Sequence, residues 1–296
     1  MVRAWSGWRR IGTGVLLVVL MQAPTVYAQS PDRTPTTGRA PTVRGSSDPM
    51  AEAAAKKGIP WNKLSQKNRR IAHYIVRNNS VFRRMPTQTI ECDPEVFTFL
   101  AQRPEIVTGV WNVMGVSPLE VRRISPTTFR AADNAGTEGA LRVLHADWGP
   151  DAKHRVVLYA EGVYEAKPLP RPIRAHSLLV LQSAAGTNAD GTPMVTARLD
   201  SFIHFERAAA DLVAKTISPL ITNTADHNFV ETMNFVSTFS QTTQRNPRGI
   251  ARLAGRLENL DEQVRGELIQ LCPLQSEQTN EATRQANRVT NLMTVH

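Results

Sequence analysis

Much that would announce a function is missing from this sequence. It holds neither a GxSxG nucleophile context nor an HExxH pair, and its two cysteines have no local histidine arrangement that suggests catalysis. Lys and Arg are mostly interleaved with Asp and Glu instead of clustering, which argues against a nucleic-acid partner. No internal repeat is visible. No apolar run reaches the roughly 20 residues that cross a bilayer. No cofactor is implied, and the absences leave a binding or structural role ahead of a catalytic one.

What is present begins at the N-terminus. Arg3, Arg9 and Arg10 precede the apolar run Val15 to Met21, and Val26-Tyr27-Ala28 follows. A basic head, a short greasy middle and small residues before a cleavage point read as a secretory signal peptide over 1–28. The apolar stretch is short and is broken by Gly12, Gly14 and Gln22, so cleavage is expected rather than anchoring. After cleavage no transmembrane segment is expected, which places the protein in the periplasm or outside the cell. Arg9-Arg10 is a twin arginine, but Gly12 and Thr13 follow it where apolar residues are preferred, which favours the general export route. The formal charge of the whole chain is +9. The signal removes three arginines and no acid, so the mature chain stays basic, enough for solubility and for attraction to an anionic envelope surface.

In an oxidising compartment Cys92 and Cys272 are a candidate disulfide that would tie the start of the folded domain to the end of its last helix. Two buried free thiols are the alternative, and only geometry separates the two.

Residues 29–58 are rich in Pro, Thr, Ser and Gly and read as a disordered leader; 274–296 are a polar tail. Between them, 59–86 form an N-terminal helical segment. Asp93 with Pro94 opens a helix, and Pro104 opens a second whose Val107, Val110, Trp111 and Met114 make one stripe up to Gly115. Six extended stretches follow between Leu119 and Glu206, separated by turn clusters, and read as an antiparallel meander. In the last of them Val195, Ala197, Leu199, Ile203 and Phe205 share one face. Thr196, Arg198, Asp200, His204 and Glu206 share the other, which is expected to meet water. The chain then returns to helices: from Ala208, interrupted by Pro219; from Asp226 to Ser240, with Phe229, Met233 and Val236 inward; and one amphipathic helix within 245–273 carrying Ile250, Leu253, Leu257, Leu260, Val264, Leu268 and Leu271.

The run Asp200-Ser201-Phe202-Ile203-His204-Phe205-Glu206, then Leu212, Pro219-Leu220 and the helix from Asp226 to Val236, resembles the closing part of START-like lipid-binding domains of the helix-grip (SRPBCC) class. The resemblance covers about 87–244 and implies an α+β fold in which a curved antiparallel sheet wraps a long helix, with additional N- and C-terminal helices. It also implies a cavity between sheet and helix for a lipid or other apolar small molecule, and no invariant catalytic set.

The cavity candidates are therefore Trp111, Met114, His145, Leu199, Ile203, Phe205, Phe229, Met233 and Val236. His145 follows Leu141 and Val143 and is expected to point inward, as a ligand-orienting group, a base or a core histidine. No metal site is expected. His227 and Glu231 are expected to face water on a helix surface, and His204 with Asp200 and Glu206 to do so on the outer face of a strand. Three functions remain open: binding of an apolar or amphipathic ligand, a cell-envelope interaction module with no cavity that docks a partner through the C-terminal helix or the flexible leader, and an enzyme built on His145.

Overall fold

Four short polar side chains set where helices begin. Asp48, Ser65, Asp93 and Asn246 each accept a first-turn backbone N–H, from Ala51, Asn68, Glu95 and Gly249 at 2.7, 3.2, 2.8 and 3.0 Å, satisfying donors that have no partner inside the helix. The computed structural model describes residues 44–133, 137–149, 153–164, 173–206, 218–258 and 260–272. The expected signal peptide, most of the leader, the polar tail and the helix expected from Ala208 lie outside them, apart from the last residues of that helix. The described helices are α1 (Pro49–Gly58), α2 (Gln66–Arg77), α3 (Pro94–Gln102), α4 (Pro104–Val113), α5 (Ser218–Arg245), α6 (Pro247–Arg256) and α7 (Glu262–Gln270).

Three of these differ from the sequence expectation. The leader ends before α1, because Asp48-Pro49 is a cap followed by a proline whose fixed φ suits the first turn, and Ala51 and Ala55 bury one face. The helix expected from Asp226 begins eight residues earlier, at Ser218, and Pro219 lies within it. Pro219 is the second residue of α5, where its missing N–H costs nothing, and α5 runs on through Asp226. The single amphipathic C-terminal helix is two. Arg265 donates to the carbonyls of Ala254 and Leu257 at 3.1 and 3.2 Å, satisfying the end of α6, and the bend lets both Leu257 and Leu260 reach the core.

The strands are β1 (Val81–Arg84), β2 (Gln88–Glu91), β3 (Glu120–Ser125), β4 (Thr128–Ala132), β5 (Thr137–Asp147), β6 (Lys153–Tyr164), β7 (Ile173–Thr187) and β8 (Pro193–Phe205). They form one antiparallel sheet in the order β1-β8-β7-β6-β5-β4-β3, with β2 also paired to β8. The meander from β3 to β8 is the expected one. β1, inside the segment expected to be helical, is an addition. The fold is α+β and helix-grip-like, with the curved sheet around α5.

Period two divides this sheet between two cores. On the concave side Leu141, Leu179, Leu199, Ile203 and Phe205 meet α3 to α7, through residues such as Ile106, Trp111, Phe229, Met233 and Leu268. On the convex side Val157, Leu178, Val180 and Phe202 meet α1 and α2 through Ala51, Ala55, Ala72, Ile75 and Val76. The face expected to meet water is thus largely covered. Phe202 and Asp200 on it are both 0 % exposed. Asp200 is held by the facing Arg84, whose Nε and Nη2 donate to its two oxygens at 2.6 and 3.1 Å. A buried carboxylate needs such a partner, and Arg84 comes from the strand that the sequence reading missed.

Candidate functional site

The concave core is not filled throughout. Trp111 of α4 meets Phe235 of α5 edge-on at 5.6 Å, and Phe235 meets Phe239 at 5.8 Å; Ile203 and Phe205 are fully buried on the sheet. Between the helices and the middle of the sheet lies a cavity of about 710 Å³, the size of a small-molecule site.

Its floor is the alternating inward row of the meander: Phe129, Leu141, Val143, Leu158, Leu179 and Leu199, with Leu181 and Val156 farther out. Its roof is Phe229, Met233 and Val236 of α5 with Phe97 and Leu100 of α3 and Val107 of α4. Two β-bulges shape the sheet here, at Arg123–Ser125 and at Val143–His145; an extra residue bends its strand and adds twist.

Polar groups gather where the α3–α4 junction, the β3–β4 turn and α7 line the cavity. Arg123 donates to Glu105 Oε1 at 2.8 Å and to the carbonyls of Gln102 and Pro126 at 2.7 and 3.1 Å, with its guanidinium 4.5 Å over the Phe129 ring. Arg103 pairs with Glu267 and lies 4.3 Å over Phe99. Gln263 donates to Glu267, and with Arg103 beside it the carboxyl is held below the usual range.

Of the nine cavity candidates, the structure brings together Leu199, Phe229, Met233 and Val236 on the wall. Trp111, Ile203 and Phe205 belong to the same core but are packed, not lining. Met114 is 62 % exposed: α4 ends there, Gly115 takes φ 69, and no further turn carries the stripe onto the sheet. His145 is on the other face. The bulge sets it opposite Val157 of the convex core, so one inserted residue turns its side chain away from the cavity. Burial lowers its pKa, and its Nε2 has no hydrogen-bond partner among the described residues.

Cys92 and Cys272 are both buried and free, so the disulfide alternative is not realised. Burial pushes the Cys92 thiol up to about 11 and raises that of Cys272, which leaves both protonated and unreactive near neutral pH. No cluster of three His, Cys, Asp or Glu able to hold a metal occurs among the described residues. His204 of the expected polar row approaches Asn78 O at 2.7 Å and the Tyr74 hydroxyl at 3.3 Å, while Asp200 is engaged by Arg84. No described helix is long and apolar enough to cross a membrane.

Sequence reasoning missed the wall residues of β5 to β7, which the same alternation that marked Leu199 would have found. It also missed the mouth residues Arg103, Arg123 and Glu267, which sit at junctions with no local signature.

No protein-family model matches the chain, and no curated protein matches it in sequence. Solved structures with weak likeness include a conserved protein from Geobacillus kaustophilus, 10 % identical over 51 % of this chain and 93 % of that one, with TM-score 0.34. A hypothetical protein from Helicobacter pylori is 12 % identical over 52 % and 86 %, TM-score 0.32. The di-domain ARO/CYC protein BexL of the BE-7585A biosynthetic pathway is 13 % identical over 65 % and 61 %, TM-score 0.27. Likeness at these scores carries no argument about function.

Proposed function

We propose that this is an exported protein that binds an apolar or amphipathic, lipid-like molecule between sheet and gripping helix without transforming it. The observation that carries the reading is the cavity of about 710 Å³ floored by Leu141, Val143, Leu158, Leu179 and Leu199. An apolar space of that volume loses dispersion contacts when empty and regains them from a ligand. The START-like order of the chain favours a lipid-like occupant, and the signal-like segment favours the periplasm or the extracellular space. Native mass spectrometry of protein purified from its own compartment tests occupancy, with a co-purifying lipid-like mass expected. Nile red titration is the second arm, with saturable binding by wild type and none by Leu158→Trp, whose ring takes up the space. Wild type that carries no lipid and does not bind the dye would overturn the reading. N-terminal sequencing of the exported protein is expected to begin at Gln29.

The docking-helix alternative loses the exposed patch it needs, since Ile250, Ala254, Leu257, Leu260 and Leu268 are buried in the chain's own core. The enzyme built on His145 loses its site to the convex face.

A further inference from the structure

The mouth of the cavity has a charge balance opposite to that of the chain. Beside the apolar space lies a polar annex of about 270 Å³ lined by Glu105, Arg122, Arg123, Glu258, Leu260, Asp261 and Val264; Arg123, Asp261 and Val264 line both spaces, so the two adjoin. Every arginine there is already answered. Arg123 is taken by Glu105 and two carbonyls, Arg103 by Glu267, and Arg122 by Glu120 at 3.1 Å. The acids are in excess. Asp261 and Glu258 have no side-chain partner among the described residues, and Glu105, only 4 % exposed, keeps its second oxygen, Oε2, buried with no hydrogen bond. A carboxylate oxygen left so costs free energy until a donor reaches it.

Resting on the binding reading above, the geometry points to an amphiphile whose head group donates hydrogen bonds, an ammonium or a hydroxyl, seated in the annex against Glu105 and Asp261 with its tail in the apolar cavity. A carboxylate or phosphate head finds only arginines that are already paired there, and meets the unpartnered carboxylates of Asp261 and Glu258, which carry its own sign. This runs against the formal charge of +9, by which non-specific attraction would favour anions.

The test uses the full mature chain with Nile red bound, displaced at neutral pH by dodecylamine, dodecanol or dodecanoate, which share one tail. The amine and the alcohol are expected to displace the dye at concentrations about tenfold below dodecanoate, a difference of about 1.4 kcal/mol. Asp261→Asn, at an exposed position, and Glu105→Gln, which retains an acceptor for Arg123, are each expected to narrow that ratio, read among the three amphiphiles within the one variant. Equal displacement by all three, or preference for dodecanoate, overturns the head-group assignment alone. Failure of the dye and all three amphiphiles to bind overturns the cavity reading and this inference with it.

Discussion

The two faces of the sheet are both apolar, yet one is closed tight and the other is held open. On the convex face the helices present Ala51, Ala55 and Ala72, small enough for α1 and α2 to lie close over Val157, Leu178, Val180 and Phe202. On the concave face the helices present the larger Trp111, Phe229, Met233 and Phe239, and a cavity remains between them and Leu158 and Leu179. What separates a sealed face from a hollow one is the size of the covering side chains, not hydrophobicity.

The strongest way to break the convex side is through its buried charge. Asp200→Ala would leave Arg84 partly buried without its partner, and a loss of about 3–5 kcal/mol in urea unfolding is expected. Loss below about 1 kcal/mol would mean that Arg84 reaches water and that this face is looser than described.

Adding volume to each face sharpens the contrast. Ala72 is 0 % exposed on the sheet-facing side of α2, so Ala72→Leu has nowhere to put its extra carbons and is expected to cost about 1–3 kcal/mol. Val143→Phe faces the cavity, and is expected to be neutral or to stabilise by up to about 1 kcal/mol, as cavity filling does, while weakening Nile red binding. Equal destabilisation by the two would show that the concave face is as full as the convex one.

A smaller effect is expected at Ser201, on the concave side of β8 but away from the cavity, where the residue is 0 % exposed and its Oγ has no partner among the described residues. Ser201→Ala removes that unmet hydroxyl and should be neutral or stabilise by about 1 kcal/mol. A loss of that size would reveal a bonded water behind β8.

These contrasts mark what the sequence could carry. Alternation along β8 gave its inward face correctly at Leu199, Ile203 and Phe205, because period two survives wherever the ladder is regular. The caps Asp93 and Pro94 placed α3 for the same local reason. What failed was non-local. That the other face of β8 is covered depends on α1 and α2, distant in sequence, and Phe202 among polar neighbours was the only residue to hint at it. Whether Phe229 and Trp111 line a space or fill it depends on the distance between helix and sheet, which no single segment specifies. His145 failed through a bulge, since one unannounced extra residue exchanges the faces for everything after it until the register is restored.

That bulge also supplies the smallest test of the comparison, in the pH dependence of stability. On the convex face burial lowers the pKa of His145, with Lys63 and Arg155 adding to the effect and Asp147 opposing it. A histidine with a folded pKa below its unfolded value of about 6.5 binds more protons when unfolded. Its contribution to stability is therefore full above that value and is lost as pH falls toward the folded pKa. His145→Gln cannot titrate, so between about pH 7 and pH 5 its stability is expected to fall less than that of wild type. The difference is read as the change in urea midpoint between the two pH values. Were His145 on the concave side, Nile red binding would change across the same range and the variant would abolish that change; on the convex face the dye isotherm of the variant is expected to match wild type at both pH values.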